Sequence, residues 1–114
     1  MIDKTLLSEI LDTELLDQRD TFEPDDNSNI YYLPKDGNGG VISIYKLKDL
    51  CKEKARDRGY YIYSGPKGKK LWTAWYSEGG SGFDNIYSVA GSEEYAVISI
   101  FKDIVETKWT TQAT

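Results

Sequence analysis

The sequence predicts an α+β fold, in which a small, mainly antiparallel sheet of about four strands is packed by two to three helices in the order α-β-β-α-β-β-α. Two observations predict this class. Residues 44–58 and 92–105 carry apolar side chains at the spacing of amphipathic helices. The segments outside these helices contain short aromatic and β-branched runs separated by Gly, Pro and Asx residues, which is typical of hairpins. A chain of 114 residues suits one core, so we expect a single domain.

The first element is expected to be a helix beginning near residue 5, with Asp3 or Thr5 as its N-cap. Its apolar stripe would contain Leu6, Leu7, Ile10, Leu11 and then Leu15. The pattern weakens after residue 13, and residues 13–22 fit either a helix or a strand. Pro24 and the neighbouring Asx residues predict a turn over 23–28. Residues 29–33 then predict a short strand that ends at Pro34, and residues 36–40 interrupt the chain.

Ser43 is the expected N-cap of a second helix that continues to about Arg58 and is stopped by Gly59. Residues 60–64 and 71–77 predict an antiparallel hairpin joined by a loop over 65–70. Residues 83–87 either extend this sheet or anchor the Gly-rich loop before them. Ser92, followed by two glutamates, predicts the start of a last helix, and residues 110–114 are expected to be a frayed tail.

Charge is sorted along the chain. Residues 1–40 hold ten acids and three bases, a net charge of −7, whereas residues 46–70 hold nine bases and three acids, a net charge of +6. The electric fields of segments charged in this way steer association and select partners. The acidic segment supplies five candidate protein-binding residues, which are Asp17, Asp20, Glu23, Asp25 and Asp26. A solvated acidic loop is the alternative, and the EF-hand order of calcium ligands is not present.

Enzymatic function is disfavoured because the chain has no histidine. This excludes Ser-His and Cys-His nucleophile systems and most zinc sites. The carboxylates that remain for acid/base work, near the Gly-rich loop, are Glu78, Asp84, Glu93 and Glu94. A position at a helix N-terminus explains Glu93 and Glu94 better than catalysis does, and a loop position explains Glu78 and Asp84 better. The spacing of glycines and lysines over 65–70 does not match a phosphate-binding loop. We therefore expect no enzyme activity, no cofactor and no metal.

Aromatic and basic residues of the hairpin define two binding hypotheses. Tyr61, Tyr63, Trp72 and Trp75 are candidate anchors at a protein interface, where Tyr and Trp bury a large area at low entropic cost. The alternative adds Lys67, Lys69 and Lys70 to these rings and predicts stacking of single-stranded nucleic acid. The isoelectric point of about 4.7 disfavours nucleic acid as the partner.

Location and assembly follow from what the sequence contains. Cys51 is the lone cysteine, and its helical spacing predicts a buried residue in a reducing compartment. No apolar run has the length needed to cross a membrane, and the acidic N-terminus does not resemble a secretory leader. The expected location is the cytoplasm, without membrane contact. A homo-oligomer that completes its core by association is a third hypothesis.

Three short stretches, 44–47, 51–55 and 59–60, have the sequences IYKL, CKEKA and GY. Together they resemble a helix in short uncharacterised proteins encoded by phages and prophages, and residues 5–11 resemble the start of the same proteins. This resemblance implies a mobile-element origin, from which small proteins often act by occupying a host protein. The resemblance itself implies an origin and not an activity. By analogy with such proteins, we expect an inhibitor in the host cytoplasm, and its acidic segment predicts binding to a host protein with a basic surface, such as a CRISPR-type or other nucleic-acid-processing defence complex. The alternative is a nucleotide or single-stranded nucleic-acid binding module.

Overall fold

The computed structural model describes residues 2–78 and 83–109, with the backbone alone described at 83–87 and 108–109. These residues form three α-helices and seven short strands that pair antiparallel in small sheets, which confirms the α+β class. Contacts divide the chain into two compact units, Met1–Leu50 and Cys51–Thr114. We refer to them as the N-terminal unit and the C-terminal unit.

The N-terminal unit contains two small antiparallel pairs and a short helix. Its elements are β1 (Ile2–Asp3), α1 (Lys4–Leu11), β2 (Thr21–Phe22), β3 (Asn29–Tyr32), β4 (Gly40–Ser43) and the start of α2 (Ile44–Asp57). β1 pairs with β2, and β3 pairs with β4. The buried apolar side chains are Ile2, Leu6, Leu7, Ile10, Leu15, Phe22, Ile30, Ile44 and Leu47.

Two sequence-based expectations for this unit are corrected by the structure. α1 begins after its Asp3 cap, as predicted, but ends at Leu11 because Asp12 adopts a left-handed conformation with φ 54°. Leu15 is therefore not on the helical stripe, and it forms an isolated antiparallel bridge with Pro34 instead. β4 was not predicted, because its four residues have the composition of a lead into a helix and are held as a strand by pairing with β3.

The C-terminal unit contains a three-stranded antiparallel sheet in the order β5-β6-β7. Its elements are β5 (Tyr60–Lys67), β6 (Leu71–Glu78), β7 (Phe83–Ala90) and α3 (Glu93–Ile104), followed by a π-helical turn (Val105–Trp109). The predicted hairpin is confirmed, but its loop has three residues rather than six, with Gly68 at φ 71°. β5 continues through Pro66. An edge strand tolerates proline because the backbone positions that face away from the sheet need no N–H donor.

α3 packs on all three strands of this sheet. It begins as predicted, with the Ser92 hydroxyl accepting a hydrogen bond from the Tyr95 N–H at 3.2 Å. Two further contacts join helix and sheet: Ser64 Oγ donates to Glu93 Oε2 at 2.9 Å, and Ser88 Oγ donates to the Ala96 carbonyl at 2.6 Å. Among the side chains of this unit that the structure describes, the buried apolar ones are Cys51, Ala55, Tyr60, Ile62, Ala74, Tyr76, Ala96, Val97, Ile98, Ile100, Phe101 and Ile104. The predicted loop at 79–82 and tail at 110–114 lie outside the described residues.

Candidate binding surfaces

The sheet of the C-terminal unit presents one face to α3, and its opposite face carries several exposed side chains. Residues alternate between the two faces along a strand, so buried Tyr60 and Ile62 place Tyr61 and Tyr63 on the exposed side. Residues paired across strands share a face, which adds further members from β6 and β7. We call this surface the outer sheet face and define it by Tyr61, Tyr63, Lys67, Leu71, Thr73, Trp75 and Val89.

Aromatic rings at the centre of the outer sheet face are ordered against one another. Tyr63 and Trp75 are cross-strand partners whose rings stack with a centroid separation of 6.1 Å and an interplanar angle of 24°. The Trp75 ring also lies over Gly65, where an added Cβ would be 3.7 Å from Cη2. Tyr61 and Tyr63 remain 42% and 43% exposed. The face therefore offers two partly exposed tyrosine rings, of which Tyr63 is held in place by stacking on Trp75.

The four aromatic anchors expected from the sequence do not share one face. Tyr61, Tyr63 and Trp75 lie on the outer sheet face, whereas Trp72 pairs with Pro66 and Ala90 on the side that carries α3. Trp72 is half-buried there. The structure thus brings three of the four rings together and separates the fourth from them.

The three candidate lysines lie at the turn end of the hairpin. Lys67 is the last residue of β5 and shares the outer sheet face with Tyr61 and Tyr63. Lys69 and Lys70 are exposed in the turn that follows. Lys67 and the rings therefore share one face of this sheet, as the nucleic-acid hypothesis requires.

The five candidate acids of the N-terminal unit separate into two groups. Asp17 stabilises the fold, because its carboxylate accepts the Leu33 N–H at 2.7 Å and lies 3.4 Å from the Arg19 guanidinium. Asp25 accepts the N–H groups of Asn27 and Asn29 at 2.9 and 3.0 Å, which closes the turn before β3. The remaining acids are exposed and have no bonded side-chain partner among the described residues; they are Asp20, Glu23 and Asp26.

A second exposed apolar surface was missed by the sequence analysis. Tyr31 and Val41 are cross-strand partners on β3 and β4 and are 56% and 54% exposed. Leu33 lies two residues beyond Tyr31, and its carbonyl accepts the Leu16 N–H at 2.7 Å, so Leu16 is next to it. We call Leu16, Tyr31, Leu33 and Val41 the apolar face of the N-terminal unit. Its signal in the sequence is weak, since only the pairing of distant segments assembles it.

Comparison with known proteins adds no relative. No family model, no curated protein and no solved structure matches this chain. In the part that the structure describes, no helix is long and apolar enough to cross a membrane.

The described residues contain no cluster of potential metal ligands. None of their His, Cys, Asp and Glu side chains form a group of three or more that could hold a metal ion. A cavity of about 440 Å³ opens beside α1, and it is lined by Lys4, Thr5, Ser8, Glu9, Glu14 and Leu15. The ammonium of Lys4 already donates to the Asp17 carbonyl at 2.5 Å.

Cys51 is fully buried, as the sequence predicted. Burial raises the pKa of its thiol well above the ordinary value, because the thiolate would be poorly solvated in the interior. A reactive cysteine needs an accessible sulfur with a lowered pKa. The sulfur of Cys51 is inaccessible and its pKa is raised, so the residue packs as a small hydrophobic side chain.

Proposed function

We propose that this protein is a non-enzymatic interaction protein of phage or mobile-element origin that binds and inhibits a host protein, and that the outer sheet face is its main contact surface. The observation that carries the proposal is the stacked pair of Tyr63 and Trp75 beside exposed Tyr61. Large rings held in place lose little entropy on binding, which is why Tyr and Trp dominate the energetics of protein interfaces.

A host protein with a basic surface is the proposed partner. The N-terminal unit has eleven acids and five bases, a net charge of −6, and Asp20, Glu23 and Asp26 are exposed. Negative potential of this size raises the rate of encounter with a basic surface, more strongly at low salt. A groove that normally holds nucleic acid, as in a CRISPR-type defence complex, has that character, and the phage resemblance favours such a target.

Binding of single-stranded nucleic acid is the second candidate function. Lys67 lies on the outer sheet face with the rings, and the C-terminal unit has nine bases and eight acids, a net charge of +1. The acidity of the whole chain is therefore a weaker argument against nucleic acid than it was for the sequence alone. Bases would stack on the rings while the lysines neutralise phosphates.

Quantitative affinity capture from a bacterial lysate, before and after nuclease treatment, tests the proposal. The test variant is Tyr63→Ser with Trp75→Ser, and the matched control is Tyr45→Ser, which removes an exposed ring at another position. We expect the wild type and the control to capture the same host protein, and this capture should not change after nuclease treatment. The amount captured should fall at least tenfold with the double variant. Equal capture by all three proteins would contradict the proposal.

A fluorescein-labelled dT20 oligonucleotide tests the second candidate by fluorescence anisotropy at 50 and 300 mM salt. If the protein recognises only another protein, the oligonucleotide should not bind at micromolar concentrations. Nucleic-acid recognition predicts binding that weakens steeply with salt and is abolished when Lys67, Lys69 and Lys70 are changed to Glu. That second result, with no protein captured, would replace the first proposal by the second.

A further inference from the structure

The apolar face of the N-terminal unit is a continuous surface rather than four scattered side chains. Leu15 is buried in its bridge to Pro34, so Leu16 and the opposed Leu33 point to the other side. Tyr31 follows on the same side of β3, and Val41 lies opposite it on β4. The four side chains are 47%, 37%, 56% and 54% exposed in the order Leu16, Leu33, Tyr31, Val41. Adjacent apolar side chains with this exposure are a feature of binding sites.

The charges around this face are negative and largely uncompensated. Asp26 lies in the turn before β3, and Asp36 lies in the turn after it. Asp20 directly follows Arg19, whose guanidinium donates to the Tyr31 carbonyl.

The nearby bases do not offset these acids. Arg19 pairs with Asp17 at 3.4 Å, and Lys35 pairs with Glu14 at 3.5 Å. Arg19 and Lys35 are thus each paired with an acid other than Asp20, Asp26 and Asp36. The face has an apolar centre and an acidic rim.

We propose that this face binds an amphipathic, lysine- or arginine-rich segment of a partner protein. The apolar stripe of such a segment would cover Leu16, Tyr31, Leu33 and Val41, and its basic residues would meet the rim. Complementary charge of this kind fixes orientation and raises the association rate. The same negative rim repels nucleic acid and anionic lipid, which leaves a basic protein segment as the occupant.

This inference is independent of the outer sheet face, and its test uses a different pair of variants. The probe is a fluorescein-labelled 14-residue peptide with leucine on one helical side and lysine on the other, and a scrambled peptide of the same composition controls for charge. The test variant is Tyr31→Thr with Val41→Thr, which keeps strand propensity. The matched control is Tyr61→Thr with Val89→Thr, because it removes the same side chains from exposed strand positions of the other unit.

Anisotropy at 50 mM salt should show that the amphipathic peptide binds the wild type and the control at least tenfold more tightly than the scrambled peptide does. The test variant should bind both peptides equally. Amide chemical shifts in the complex should change most at Leu16, Tyr31, Leu33 and Val41. Equal binding of the two peptides to the wild type, or shifts concentrated on the outer sheet face, would overturn the inference.

A charge variant keeps the test decisive if the threonine variant does not fold. Asp20→Asn with Asp26→Asn removes two rim charges at exposed positions, where neither side chain bonds to another described residue. Affinity for the amphipathic peptide should then fall at least threefold at 50 mM salt and change little at 300 mM salt. An unchanged affinity at low salt would contradict the role of the rim.

Discussion

At the scale of single residues, position within a strand decides which candidate can contact a partner. Trp72 and Trp75 are three residues apart in β6, so they point to opposite faces, whereas Tyr61 and Tyr63 are two residues apart and share one. The sequence analysis predicted all four rings as interface anchors from their residue types. Strand alternation places Trp72 on the face opposite to that of Trp75. The structure shows that α3 covers the face of Trp72.

Asp25 and Asp26 are neighbouring acids with different roles, and this difference is measurable. Asp25→Ala removes the acceptor of two backbone N–H groups, so we expect the free energy of unfolding to fall by roughly 1–2 kcal/mol. Asp26→Ala, at an exposed position, should change it by less than about 0.5 kcal/mol. Urea unfolding followed by circular dichroism measures both. Equal effects would show that Asp25 does not hold the turn.

Cys51 predicts a pH dependence of stability. The folded state keeps the thiol protonated above its ordinary pKa of 9.0, while the unfolded chain loses the proton there. Stability from this group is complete below that pH and is lost as pH rises above it, by about 1.4 kcal/mol per unit.

The Cys51→Ala variant isolates this contribution, because it lacks the thiol in both states. We expect the stability advantage of the wild type over the variant to narrow by about 1.4 kcal/mol between pH 7.5 and pH 10. Urea unfolding of the two proteins at both pH values, with reductant present, measures the difference. A constant advantage would mean that the thiol ionises equally in the folded state.

At the scale of elements, the helices followed local signals more closely than the strands did. Ser43 and Ser92 cap their helices as predicted, because a hydroxyl before an amphipathic run acts within one turn of chain. Strands depended on distant partners. β5 runs to Lys67 through Gly65 and Pro66, residues that predicted a loop, because β6 pairs with it along its whole length.

The hairpin turn gives a prediction at this scale. Gly68 has φ 71°, a conformation that a side chain disfavours, so Gly68→Ala should cost roughly 1–2 kcal/mol. Gly39→Ala is the matched control, because nothing lies within 4 Å of a Cβ built there and its φ is not in that region. Thermal unfolding of both variants provides the comparison, with little change expected for Gly39→Ala. An equally small change at Gly68 would mean that the turn relaxes to another conformation.

At the scale of the whole molecule, charge is divided between the two units. The net charge of −5 is the sum of −6 in the N-terminal unit and +1 in the C-terminal unit. A low isoelectric point for the chain therefore describes one unit and not the other. The expectation of a single domain stays a prediction, as do the cytoplasmic location and the proposed partners.

Removing exposed acids should change net charge without changing stability. Asp20→Asn, Glu23→Gln and Asp26→Asn together take the net charge from −5 to −2, and we expect the free energy of unfolding to change by less than about 0.5 kcal/mol. Asp17→Ala removes one charge but should cost roughly 1–3 kcal/mol, because its carboxylate holds the Leu33 N–H and Arg19. Urea unfolding at 20 and 200 mM salt compares them. A larger loss in the triple variant would show that net charge, not bonding, governs stability here.

Short-range sequence signals were sufficient to predict the α+β class, the helix caps, the burial of Cys51 and the aromatic hairpin, because each depends on residues close together in the chain. The candidate surfaces, in contrast, became visible only when distant segments were paired in the fold. The apolar face of the N-terminal unit joins Leu16, Tyr31, Leu33 and Val41 through pairings between segments far apart in sequence. Likewise, no sequence feature distinguishes Asp17 from Asp20. Only Asp17 accepts the Leu33 N–H and thereby stabilises the fold. Long-range pairing sets both outcomes, and no local pattern encodes it.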